Sequence, residues 1–222
     1  MPVPRPRDPE ATRARLEAWL ATRLDSARDV AITNFRAPSQ GFSNETFHFD
    51  ASWKDADGPH RYPMVLRIQP AGGHQLFFEG NLRDVLFQYR VMDAIGPHGV
   101  PVAPLRWAEE DPAVLGGPFF LMDRVDGSAP PDVPSYNAEG FIRELTPAAR
   151  RQLWQNALGA LAKIHAVDWR QGLEFLSQPQ RGKPGLGQYL NMVEEWYEWV
   201  DRGRSIPILK EAMDFVRANR PS

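Results

Sequence analysis

No cysteine occurs anywhere in the 222 residues, which excludes a disulfide scaffold, a thiolate metal site and a cysteine nucleophile. Surplus charge is also lacking: 26 basic side chains against 28 acidic ones leave a formal net charge of −2. Such a balance sets up no global basic field to draw in nucleic acid or an anionic membrane. Long apolar runs are missing too, and none approaches the ~20 residues of a membrane-spanning helix. The opening Met1-Pro-Val-Pro-Arg-Pro-Arg-Asp-Pro-Glu10 contains no apolar core of the kind a secretory signal carries. The expectation is a soluble cytoplasmic protein with neither nucleic acid nor membrane as partner. What is present is ordinary globular material, 42% hydrophobic and 24% charged. The chain is long enough for one large domain or two small lobes.

Asp8-Pro9-Glu10 reads as an N-cap, a proline in the first helical position and an acidic first turn. Leu16, Trp19, Leu20 and Leu24 then recur at helical spacing, predicting a helix of about four turns. From Val30 the period shortens. Val30–Phe35, Glu45–Asp50 and Tyr62–Ile68 are β-prone, with Pro38–Asn44 and Lys54–Pro59 between them as turns. The helical period returns from Asn81 to Ile95. Prolines 97, 101 and 104 lead from it through Leu105-Arg-Trp107 to the apolar run Pro118–Met122. A proline-rich loop from Gly127 to Pro134 follows, and beyond it every periodic segment is helical: one capped by Thr146-Pro147, one over Leu186–Val200 and one near Ile208–Val216. Strands followed by helices predict an α+β protein of two lobes, divided near that loop into residues 1–126 and 127–222.

Four stretches carry chemistry. Gly41-Phe-Ser-Asn-Glu-Thr46 places small polar residues at a hairpin, where free N–H groups can approach phosphate oxygens; the same residues also make ordinary turns. Arg67 lies inside the apolar strand Met64–Ile68, one strand after that hairpin, where a kinase puts its phosphate-contacting cation; an edge-strand arginine reaching water has the same signature. The carboxylate that pairs with such a cation belongs on the next helix; Glu79, just before it, and Asp84, within it, are candidates, and a solvated helix face is the alternative. The segment around Met122, Asp123, Arg124 and Val125 leaves a buried strand for an acidic, glycine-terminated loop. Its backbone groups suit an adenine ring at a hinge, although any strand leaving a core ends similarly. One match is refused. His165-Ala-Val-Asp168 has the His–Asp spacing of a kinase catalytic loop, but the Asn required five residues after the Asp is Leu173. His165 instead closes an apolar helix, where a cation interacts well with the dipole.

Together these stretches resemble the aminoglycoside phosphotransferase and choline kinase-like family, in particular the kinase-like domain attached to some acyl-CoA dehydrogenases. The resemblance is carried by Gly41–Thr46, Val65-Leu-Arg67, Gln88–Ile95, Gly99–Pro104, Val114–Gly127 and Leu161–Trp169, in the family's order. It implies a protein-kinase-like fold, with an antiparallel-sheet N-lobe and the beginning of a helical C-lobe, and ATP held between the lobes. The nucleotide would sit under Gly41, Phe42, Ser43, Asn44 and Thr46, near Arg67, and against the Met122–Val125 hinge. Two substitutions depart from the pattern: the strand lysine is Arg67, and the helix glutamate is Gln88, leaving the ion pair to Glu79 or Asp84.

The family's His-Gly-Asp motif, its downstream Asn and its metal-binding Asp are not found among the five histidines and the late aspartates. The resemblance therefore implies an ATP-dependent phosphotransferase acting on a hydroxyl of a small substrate, of which this chain is an incomplete, nucleotide-binding portion with no catalytic residue or metal ligand of its own. Mg2+ would belong to the complete protein. The other reading is a non-catalytic kinase-like module that senses nucleotide or docks a partner through Trp196, Tyr197 and Trp199; against it, those rings suit a core completed by further helices.

Overall fold

Asp8 starts the first regular element as expected. Its carboxylate accepts from the Glu10 and Ala11 amides, Pro9 presets φ, and helix α1 (Pro9–Arg23) follows with Leu16, Trp19 and Leu20 buried. The structure is a computed structural model that describes residues 7–37, 45–69, 85–130, 135–201, 203–204 and 206–220.

Five strands form one antiparallel sheet: β1 (Arg28–Arg36), β2 (Glu45–Asp55), β3 (Gly58–Ile68), β4 (Leu105–Glu109) and β5 (Phe119–Asp123), in the order β1-β2-β3-β5-β4. β2 runs five residues beyond its expected end because Ala51 and Trp53 continue the buried alternation begun by Phe47 and Phe49. The turn shrinks accordingly to Ala56-Asp57. There the Asp55 carboxylate accepts from the Asp57 amide at 2.9 Å, and Gly58 takes φ +114°. β1 is less regular, with register shifts between Arg28 and Ala31 and between Thr33 and Arg36.

The period-2 alternation sorts the sheet into two faces. Phe47, Phe49, Ala51 and Trp53 of β2 share one face with Met64, Leu66 and Ile68 of β3 and Phe119 and Leu121 of β5, forming the core under α1. Trp19 meets Phe119 edge-on at 4.8 Å, while its indole N–H donates to Glu109 at 2.8 Å. Helix α2 (Val85–Ile95) packs against β4 and β5, with Tyr89 edge-to-face on Phe120 at 5.6 Å. Its expected first turn, 81–84, lies outside the described residues.

Two short helices were not expected. α3 (Pro112–Leu115) is capped by Asp111 and stopped by Gly116 at φ +79°, and α4 (Phe141–Glu144) follows Gly140. α5 (Pro147–Ala166) begins where Thr146 predicts, its hydroxyl accepting from the Ala149 amide at 3.2 Å. Leu153, Leu161 and Ile164 on α5 are exposed, and no residue of that helix is buried.

One compact unit extends through Val167, and a second holds the described residues from Asp168 onward. Within the second, α6 (Leu186–Asp201) pairs Glu195 with Arg181 of the preceding turn at 2.6 Å, and Glu194 with Arg217 of α7 (Pro207–Ala218). Tyr197 turns inward and bonds the Ile206 backbone at 3.3 Å, whereas Trp196 and Trp199 are exposed. No described helix is long and apolar enough to cross a membrane.

Candidate nucleotide-binding site

The residues that do not enter the core under α1 alternate onto the other face, and the strand register stacks them in rows. Thr46 lies opposite Arg67, which lies opposite Phe120. In the next row His48 faces Val65 and Val65 faces Met122; beyond it Asp50 faces Pro63. Thr46, Arg67 and Met122 are thus brought to one face. Gly41, Phe42, Ser43, Asn44, Glu79 and Asp84 lie outside the described residues.

Arg67 is half-buried, and that burial pushes its guanidinium below its ordinary value, although an arginine keeps its charge at any ordinary pH. Val65 and Phe120 beside it are buried, so Arg67 has apolar neighbours on two sides.

The hinge is bracketed by two prolines. The Asp123 amide donates to the Pro104 carbonyl at 2.8 Å, and the Arg124 amide donates to the Pro63 carbonyl at 3.0 Å. Proline has no N–H, so neither partner can return the bond that an antiparallel ladder normally completes. The carbonyls of Asp123 and Arg124 therefore receive no bond from the residue opposite, while both amides are taken. Val125 follows, highly exposed. Of the backbone groups in this segment, the carbonyls of Asp123 and Arg124 are the ones the prolines leave without that return bond. The side chains are already committed. Arg106 grips the Asp123 carboxylate with two bonds, at 2.6 and 2.8 Å, and Arg124 reaches Asp50 at 3.4 Å and Asp126 at 3.6 Å.

Asp50 and His48 were not singled out from sequence, although counting by two from Thr46 along β2 would have reached both. Asp50 is 7% exposed and accepts from Asn34 at 2.7 Å and Arg61 at 3.0 Å. The Asn34 amide, then Arg61 and Arg124, hold its carboxyl below the usual range. It fastens β1, β3 and the hinge to β2. Burial lowers the His48 imidazole, with Arg124 and Arg36 acting in the same direction. The sign is that of a depressed group: folding favours neutral His48, and its contribution is full above 6.5, the ordinary value, and lost as pH falls through the folded value. The expected NMR titration midpoint of His48 lies below 6.5, and His48→Gln should flatten the loss of stability just below that pH. A midpoint at or above 6.5 would contradict the environment described.

The refused pair has local roles. Asp168 accepts from the Arg170 amide at 3.1 Å and from Gln171 at 3.2 Å in a local turn, and the Arg170 amide is the first cause of its lowered carboxyl. His165 stands in the last turn of α5. Among the described residues no group of three His, Cys, Asp or Glu side chains stands together in a way that could hold a metal ion.

A five-stranded antiparallel sheet with helices packed on it, matched in a solved structure of this kind, defines a protein-kinase-like fold. The chain belongs to the phosphotransferase enzyme family, whose profile matches residues 34–222. It is similar to the mouse protein named acyl-CoA dehydrogenase family member 10, at 27% identity over 161 residues, 71% of this chain and 14% of that protein. It is also similar to the chicken acyl-CoA dehydrogenase family member 11, at 29% identity over 190 residues, 84% of this chain and 21% of that protein. The chain thus spans between a seventh and about a fifth of the length of these relatives. A Ralstonia eutropha structure described as a candidate aminoglycoside phosphotransferase superposes with a TM-score of 0.57 at 24% identity, over 94% of this chain and 54% of that one.

Proposed function

We propose that this chain is the nucleotide-binding portion of an ATP-dependent kinase that transfers a γ-phosphoryl group to a hydroxyl of a small substrate. The observation that carries the reading is the set of rows on one sheet face, with the Arg67 cation at one end and the proline-bared carbonyls of Asp123 and Arg124 at the other. Four residue steps along β3 lead from Pro63 to Arg67, roughly 13 Å at the rise of an extended strand. An extended nucleoside triphosphate covers such a span. The Asp123 carbonyl would accept from the 6-amino group of adenine and the Val125 amide would donate to its ring. Val65, Met122 and His48 would lie along the base and ribose. Arg67 would meet phosphate oxygens, recovering part of the solvation its burial removes.

ATP with Mg2+ would supply the phosphoryl group and neutralise its charge; the residues present here orient the nucleotide. Relatives named for acyl-CoA dehydrogenases make hydroxyacyl thioesters the first acceptors to try, ahead of sugars, choline-like alcohols and aminoglycosides. Isothermal titration with Mg·ATP and Mg·GTP tests the nucleotide part. Saturable ATP binding, weaker for GTP because its 6-oxo group has no amino donor for Asp123, is the expected result. Absence of binding by either would sink the reading.

A further inference from the structure

The segment ahead of α1 ends in a buried cation that the nucleotide reading does not use. Only 10% of the Arg7 side chain is exposed, and its guanidinium ties together three elements distant in sequence. Nε meets the Glu45 carboxylate at 2.7 Å, Nη2 donates to the Gln69 carbonyl at 2.5 Å, and Nη1 donates to the Leu115 carbonyl at 2.8 Å. Glu45 is the first residue of β2 and pairs with Ile68, the last residue of β3. The next pair is Thr46–Arg67. Gln69 extends the chain of contacts: its amide donates to Pro118 at 2.9 Å, and its side-chain carbonyl accepts from the Val85 amide, at the first residue of α2, at 3.1 Å. Glycines make room for the fork. A Cβ on Gly117 would stand 2.8 Å from the Gln69 carbonyl, and one on Gly116 would stand 2.9 Å from Nη1 of Arg7.

Resting on the nucleotide reading above, we infer that Arg7 is a positioning residue for the phosphate end of that site: it staples the last rungs of the β2–β3 ladder and, through Gln69, the start of α2. Ladder ends fray unless something holds them. The planar fork, with five donors, can hold two strand ends and a turn at once, which a lysine cannot. Loss of the staple leaves Arg67 attached but imprecisely aimed, and small misplacements in a site cost large factors.

The test compares Mg·ATP affinity of the wild-type chain, Arg7→Ala and Glu45→Gln, each at a temperature where circular dichroism shows it folded. Arg7 lines a cavity of about 220 Å³ shared with Ala11, Arg15 and Leu115, so truncation leaves a guanidinium-shaped hole open to small molecules. Arg7→Ala is expected to weaken nucleotide binding roughly tenfold, and millimolar methylguanidinium should restore it; a purely structural role predicts no such rescue of affinity in an already folded protein. Glu45→Gln should weaken binding in the same direction and decides the matter if Arg7→Ala does not fold. Wild-type binding with unchanged affinity in the folded variants overturns the staple and leaves the nucleotide reading standing. Failure of the wild-type chain to bind removes both.

Discussion

Arg67→Ala is expected to raise the dissociation constant for Mg·ATP by between ~10- and ~100-fold while leaving the fold intact. A hydrogen bond to a charged group contributes about 1.5–3 kcal/mol, and each 1.4 kcal/mol is a factor of about ten in affinity. Arg67 is half-buried on the face away from the α1 core, so its truncation leaves the packing under α1 in place. Arg67→Lys should fall between the two, because a lysine keeps the charge but loses the planar fork. The measurement is calorimetric titration of all three proteins at one ionic strength, since phosphate contacts are screened by salt. If Arg67→Ala binds as tightly as the wild type, the phosphates do not lie at this row and the orientation proposed for the nucleotide is wrong.

Phe49→Ala should cost about 3–5 kcal/mol in urea denaturation, the range for removing a buried aromatic ring. Phe49 has no exposed surface, sits in the middle of β2 and lies 6.1 Å from the Phe35 ring of β1. Domains of this kind have total stabilities of about 5–15 kcal/mol, so such a loss would consume much of the margin. The same variant should also weaken nucleotide binding when measured near its unfolding transition, because Phe49 lies between His48 and Asp50 on the strand. A cost below about 1 kcal/mol would mean that β2 does not run through the centre of the core.

Much of the fold could be read locally. Asp8-Pro9 and Thr146-Pro147 carry their capping chemistry in adjacent residues, and both helices begin there. Arg67 stood out because a cation in an apolar strand is conspicuous in one dimension. The hinge could be found but not resolved: that Pro63 and Pro104 end up on either side of Asp123 and Arg124 depends on a register between segments dozens of residues apart, which no local pattern encodes. Arg7 was hidden for the same reason, lost in a proline-rich opening that looks irregular until Glu45, Gln69 and Leu115 converge on it. Gly116-Gly117 reads as a turn, yet its Cβ space is claimed by Arg7 and the Gln69 carbonyl. Asp50 and His48 were overlooked because alternation assigns a face only once the buried partner face is known. The short α3 and α4 span too few turns to show a period.

The irregularity of β1 bears on how copies of this protein behave toward one another. β1 borders the sheet, and a straight outer strand is a template on which a second chain can add its own. Here Asp29 and Asn34 take φ of 57° and 54°, and the pairing with β2 slips on either side of Ala31–Thr33. Asn34 is held in that conformation by its bond to buried Asp50. The outer row of N–H and C=O groups is consequently broken into short, misaligned pieces. The carboxylate that fastens the hinge thereby also spoils this border as a seed for polymerisation.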